Sequence, residues 1–222
     1  MTAAPVPAPL PMARPISTFL DLIKFAHTVF ALPFALLAAF LAFRVTGLSL
    51  ASPGLWDRLG LILLCMVFAR TFAMTVNRLV DRRFDAQNPR AARRPSVTGA
   101  VSPSFMRLII ALCAAGFIAA AAAFYLAFGN LWALLLAVSA LAWLASYSFT
   151  KRFTALCHFW LGASLGLAPV SAWIALVPPH GPVLTPAIGL LGGAVLFWVA
   201  GFDILYALQD EAIDRTAELH SI

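Results

Sequence analysis

Six blocks of continuous apolar residues alternate with short polar stretches along the chain. They run near Phe25–Phe43, Leu59–Val76, Leu108–Phe128, Leu131–Phe149, Ala155–Val177 and Leu184–Ala207. Each is close to the ~20 residues that an α-helix needs to cross the hydrocarbon core of a bilayer. Transmembrane strands would be shorter and would alternate apolar with polar positions, which these blocks do not. The pattern predicts an all-α, polytopic transmembrane helical bundle of six spans. Composition agrees: of 222 residues, 62% are hydrophobic and 11% charged, with a mean hydropathy of +0.92. A chain of this length cannot hide so much apolar surface in one core, which excludes a soluble enzyme, a disordered chain and a disulfide scaffold. Cys65, Cys113 and Cys157 lie in apolar runs without metal-ligand spacing and read as small buried hydrophobes. Residues 1–15 carry five prolines and no apolar run, the mark of a flexible tail rather than a signal peptide, ahead of a membrane domain over 16–222.

Charge orients the bundle. Of the 15 Lys and Arg residues, twelve lie in or beside the tail and the loops after the second, fourth and sixth blocks. Arg44 and Arg58 lie on the other side, and Arg70 falls inside a span. Positive residues favour the cytoplasmic side. The expected placement is a multi-pass protein of the bacterial inner membrane, N-terminus and basic loops in the cytoplasm. The excess of positive charge therefore signals topology, not a nucleic-acid partner.

The nine acids are less easily explained by topology. Seven fall in two clusters, at the ends of the second and sixth spans on one membrane face. The first reads Asn77, Asp81, Asp85, spaced i, i+4, i+8. The second reads Asp203, Asp210, Asp214, spaced i, i+7, i+11, with Tyr206 between. On continuous helices each set lines one face. Stacked carboxylates repel unless a cation sits among them, and an all-oxygen donor set suits Mg²⁺ carrying substrate phosphates. The plainer reading is a solvated helix end whose acids pair with nearby arginines. Two such clusters on one face favour function, because polar groups near membrane depth are costly.

The surrounding cations suggest what a metal would hold. Arg90, Arg93 and Arg94 crowd the loop after Asp85, and guanidinium forks match phosphate oxygens. Tyr147 and Lys151 stand one turn apart at the end of the fourth span. Arg94, Lys151 and Tyr147 are therefore candidates for a diphosphate. Lys24 is another, or a snorkelling lysine. Arg82, Arg83, Arg93, Arg107 and Arg152 read as topology signals and lipid-headgroup contacts. Arg70 lies two turns before Asn77, on the same face and deeper. It pairs with a motif aspartate or, with Asn77, anchors the carboxylate of a second substrate. His27 reads as a hydrogen-bonded bystander, and His158, His180 and His220 show no metal spacing.

These residues resemble a known family. Asn77-x-x-x-Asp81-x-x-x-Asp85 followed by Arg94-Pro95 is similar to the first signature of the UbiA superfamily of intramembrane aromatic prenyltransferases. Tyr147-x-x-x-Lys151 resembles its middle motif, and Asp203-x-x-Tyr206-x-x-x-Asp210-x-x-x-Asp214 its second aspartate signature. KFAHTVFALPFALLAAF and GFDILYALQDEAIDR look most like the 4-hydroxybenzoate polyprenyltransferase branch. The resemblance implies Mg²⁺ bound by Asp81, Asp85, Asp210 and Asp214, supported by Asn77 and Asp203. It implies a polyprenyl diphosphate neutralised by Lys151, Arg94 and Lys24. Departure of the diphosphate leaves an allylic cation, stabilised by the faces of Tyr147 or Tyr206 and attacked by an aromatic acid. The product would enter ubiquinone or menaquinone synthesis. The resemblance also implies nine transmembrane helices, so the expectation is a chain incomplete at its C-terminus. A smaller departure is Ala91-Ala92, where relatives often carry Thr.

Three rivals share some of these features. A dihydroxynaphthoate would satisfy Arg70 as well as 4-hydroxybenzoate does. A membrane phosphotransferase acting on CDP-alcohols also uses Mg²⁺ and carboxylates, but in one continuous run that has Gly where Arg82 stands. A transporter would place its acids near the midplane rather than at one face.

Overall fold

The computed structural model describes residues 15–23, 31–177, 181, 184–209, 211–216 and 220. All regular structure among them is helical. The elements are α1 (Pro15–Ile23), α2 (Leu32–Thr46), α3 (Leu55–Val80), α4 (Arg82–Asp85), α5 (Pro95–Thr98), α6 (Pro103–Phe128), α7 (Leu131–Thr150), α8 (Cys157–Leu176), α9 (Pro186–Ala207) and α10 (Glu211–Thr216). Five of these, α3, α6, α7, α8 and α9, are long and apolar enough to cross a membrane. The sixth expected span is represented by α2, which is 15 residues long; the expected start of that span, 25–30, lies outside the described residues, as does the tail over 1–14.

The outer surface confirms the solvent. Leu126 is 81% exposed, Leu190 75% and Phe197 68%. Side chains of this kind facing outward on successive helices are what lipid, not water, accepts.

Packing divides the bundle into two parts joined at α7 and α8. On one side α3 lies against α6 and α7, with Phe72 and Val76 meeting Cys113 and Leu141. On the other, α8 packs against α2 and α9. The α2 contact uses Ala35, Ala38, Ala39 and Ala42, a small-residue face at i, i+3, i+4, i+7 that admits Trp173 and Leu176. The α8–α9 contact is closer still: a Cβ on Gly162 would collide with the backbone carbonyl of Leu196, and one on Gly166 would stand 2.7 Å from the carbonyl of Gly192.

The turn between α6 and α7 is fixed by local chemistry. Gly129 takes a left-handed φ of 68° and closes α6 through its N–H to the Tyr125 carbonyl, while the Asn130 N–H reaches the Phe124 carbonyl. Asn130 caps α7 at Trp132 N and donates Nδ2 to the Ile174 carbonyl at 2.7 Å. One buried side chain thus ties the α6–α7 turn to the far end of α8. At the opposite side of the bundle the end of α7 meets the end of α3, and the start of α8 meets the end of α9.

Candidate functional site

The first acid cluster is built where α3 stops. The ladder of helical hydrogen bonds continues through it, Asp81 N to Asn77 O and Asp85 N to Asp81 O, both at 2.9 Å. The helix itself is interrupted at Asp81, with φ −89° and ψ 1°, so the expected single helical face is split between the last turn of α3 and the short α4. Asp81 is 2% exposed and Asp85 7%. These are not solvated acids.

Each buried carboxylate is held by cations. Lys151 Nζ lies 2.7 Å from Asp81 Oδ2, and Asn77 Nδ2 donates to the same oxygen at 2.8 Å. Arg94 Nη1 lies 2.6 Å from Asp85 Oδ1. Arg78 Nη1 donates to Asn77 Oδ1 at 3.3 Å and stands 3.8 Å from Asp85 Oδ2. Arg152 places Nη2 3.8 Å from Asp81 Oδ1 and donates to the Val80 carbonyl. Its guanidinium also covers the rings of Phe84 and Phe149. Burial pushes the Asp81 carboxyl above the usual carboxylate range, while the Lys151 ammonium acts in the opposite direction.

The cations expected on a diphosphate therefore rest on the acids here. Arg152, assigned from sequence to topology and headgroups, instead belongs to the site, and so does Arg78, which is 6% exposed. Arg78 carried a usable signal: it precedes Asp85 by seven residues, two helical turns. Arg82 serves the loop, donating Nε to the Ser96 carbonyl.

One oxygen of each acid, Asp81 Oδ1 and Asp85 Oδ2, is buried without a hydrogen-bond partner. Unsatisfied buried carboxylate oxygens are costly unless another partner completes them. Their hard, anionic character fits Mg²⁺. Among the described residues no three His, Cys, Asp or Glu side chains converge on one point, so these two acids supply only part of a metal site.

The second cluster is not one helix. α9 ends at Ala207 and α10 begins at Glu211, which breaks the expected i, i+7, i+11 face. Asp210 lies outside the described residues, as do Lys24 and the side chain of Asp214. Asp203 is described: its Oδ2 accepts from His158 Nδ1 at 2.7 Å. His158, set aside in the sequence as lacking metal spacing, is thus joined to the second motif.

An apolar cavity of about 210 Å³ opens between α3, α6, α7 and α8. Its polar groups include Arg70 and Tyr147; Phe124, Ala133 and Ala175 line the opposite end. Alanines from all four helices leave the room. Arg70 forms no ion pair with a motif aspartate among the described residues, and its buried Nε has no hydrogen-bond partner. Tyr147 lines the cavity with Arg70, four residues before Lys151 at the end of α7. Tyr206 is half exposed against Phe202 on α9 and does not line the cavity.

Comparison with known proteins gives one consistent result. The profile of the UbiA prenyltransferase family matches residues 31–222. A 4-hydroxybenzoate solanesyltransferase of Synechocystis sp. is 33% identical over 73% of this chain and 53% of its own length. A 4-hydroxybenzoate octaprenyltransferase of Nitrosomonas eutropha is 34% identical over 76% of this chain and 56% of its own. Among solved structures, an apo UbiA homologue from Aeropyrum pernix K1 superposes with a TM-score of 0.76 at 33% identity, covering 89% of this chain and 68% of that one. A UbiA homologue from Archaeoglobus fulgidus bound to DMAPP and Mg²⁺ gives 0.65 at 26%, covering 92% and 67%. The chain spans about half the length of the curated relatives it matches.

Proposed function

The chain belongs to the UbiA prenyltransferase family, and from that premise we propose that it transfers a polyprenyl group from a polyprenyl diphosphate to 4-hydroxybenzoate in respiratory quinone synthesis. The observation that carries the reading is the pair of buried acids, each with an oxygen that lacks a hydrogen bond, beside an apolar cavity that bears Arg70, whose buried Nε has no hydrogen-bond partner. An apolar chain, a charged leaving group and an anionic acceptor each have a matching surface there.

Asp81 and Asp85 would hold Mg²⁺, with Asn77 and Asp203 in support and Asp210 and Asp214 completing the set. When bound, the ion supplies charge neutralisation to the departing diphosphate. Lys151 and Arg94, which pair with the two acids, would also neutralise diphosphate oxygens, with Lys24 a further contact. The isoprenoid chain lies in the cavity between α3, α6, α7 and α8. Arg70 receives the carboxylate of the acceptor.

The bond between the allylic carbon and the diphosphate oxygen breaks, and the electron pair leaves with the diphosphate. The face of Tyr147 stabilises the resulting cation. A ring carbon of the acceptor forms the new bond, and the ring then loses a proton. The apolar walls keep water from the cation, which would otherwise be hydrolysed. The basic, acid-bearing face lies toward the cytoplasm.

The test is a membrane assay of residues 1–222 with Mg²⁺, a long-chain prenyl diphosphate and 4-hydroxybenzoate, beside Asp81→Ala and a dihydroxynaphthoate acceptor. The expected result is product with 4-hydroxybenzoate that disappears in Asp81→Ala. Product with the naphthoate alone moves the chain to menaquinone synthesis. Diphosphate released at the same rate in wild type and Asp81→Ala would overturn the assignment of the acid cluster.

A further inference from the structure

The acid at the end of α9 is held from the neighbouring helix. His158, in the first turn of α8, is 3% exposed and places Nδ1 2.7 Å from Asp203 Oδ2. Its Nδ1–H donates to the carboxylate, which occupies one oxygen of Asp203. The other oxygen, Oδ1, has no hydrogen-bond partner among the described residues. A histidine kept only to satisfy its own ring would pair both nitrogens, yet Nε2 is buried without a partner. The ring has been placed for the carboxylate.

The backbone fixes this pair. His158, Gly162 and Gly166 repeat every four residues and share one face of α8. At Gly162 a Cβ would strike the Leu196 carbonyl, and at Gly166 it would stand 2.7 Å from the Gly192 carbonyl. Directly along the helix from the pair, then, α8 and α9 touch backbone to backbone. The distance from ring to carboxylate is set by that contact and not by two flexible side chains. Loss of the ring would free a carboxylate that is 27% exposed to rotate away.

We infer that His158 is a positioning residue for the second acid motif: it clamps Asp203 by Oδ2 across the α8–α9 seam and presents Oδ1 to the metal–diphosphate site. The inference rests on the prenyl-transfer reading above. Hydrogen-bond partners of metal-binding carboxylates orient the ligand oxygen, and their removal costs about 10–100-fold in metal affinity.

The test uses purified chain 1–222 in detergent, with inorganic diphosphate as the probe. The readout is the Mg²⁺ concentration that gives half of the thermal stabilisation. His158→Leu is expected to raise that concentration about tenfold or more, and His158→Gln, which keeps an N–H donor, to restore most of it. His158→Leu combined with Asp203→Asn is expected to be no worse than Asp203→Asn alone, since two residues acting through one hydrogen bond are not additive. A wild-type midpoint in His158→Leu, or additive losses in the double variant, overturns the inference. If His158→Leu does not yield monodisperse protein, His158→Gln is compared with His158→Ser, and equal midpoints overturn it. A wild-type chain that Mg²⁺ and diphosphate fail to stabilise removes the prenyl-transfer reading and this inference together; stabilisation unchanged by His158→Leu removes this inference alone.

Discussion

Lys151 Nζ stands 2.7 Å from Asp81 Oδ2, which joins the end of α7 to the end of α3 and compensates the charge of one buried acid. Breaking a fully buried pair from one side costs about 3–5 kcal/mol. Lys151 keeps 28% of its side chain exposed, so solvent reduces the expected cost of Lys151→Met to about 1–3 kcal/mol. For a chain of this size that is a fall of a few degrees in unfolding midpoint, at roughly 2–4 °C per kcal/mol. Adding Asp81→Asn is expected to recover stability without recovering prenyl transfer. Thermal unfolding and the membrane assay, run on the same three proteins, separate the two roles.

Arg70 reports on the acceptor. Its Nε is buried and unpartnered beside the cavity, and a hydrogen bond to a charged group is worth about 1.5–3 kcal/mol. Arg70→Ala should raise the KM for the aromatic acid roughly 10–150-fold while changing the KM for prenyl diphosphate little. Arg70→Lys should lie between, because the ammonium keeps the charge but loses the planar fork. A larger rise in the KM for prenyl diphosphate than for the acid would place Arg70 on the diphosphate instead.

The α8–α9 seam gives a structural prediction with an internal control. Gly162→Ala meets the Leu196 carbonyl, whereas Gly193→Ala on α9 meets nothing within 4 Å. Overpacking of a tight contact costs about 1–3 kcal/mol, so Gly162→Ala should lower the unfolding midpoint. Gly193→Ala should be neutral or slightly stabilising, since alanine is the better helix former. Unfolding curves for the pair decide it.

Asp81 predicts a pH dependence. Burial raises its folded pKa, so the native state holds this proton more tightly than the unfolded chain does. The contribution of the group to ligand-free stability is therefore greatest at low pH and falls as pH rises from the ordinary carboxylate range through the raised value. Mg²⁺ requires the charged form, so stabilisation by Mg²⁺ should weaken as pH falls through that same value. Asp81→Asn should flatten both slopes. Unfolding midpoints across pH, with and without Mg²⁺, measure them.

Part of this protein was legible without coordinates. The apolar blocks gave the helices because their length matches a bilayer and their backbone must satisfy itself. Asn77, Asp81 and Asp85, and the pair Tyr147 and Lys151, were readable because spacing of four residues places side chains together within one segment. Periodicity also misled at the ends: it extends a face through Asp81 and beyond Ala207, where the helices stop. What tertiary structure alone decided is which groups meet across helices. Arg152 lies in sequence like a loop charge, and His158 like a histidine without metal spacing, until the ends of α7 and α8 bring them to Asp81 and Asp203. Such contacts depend on how closely two backbones approach, which small residues such as Gly162 permit but whose partner their own sequence position does not name.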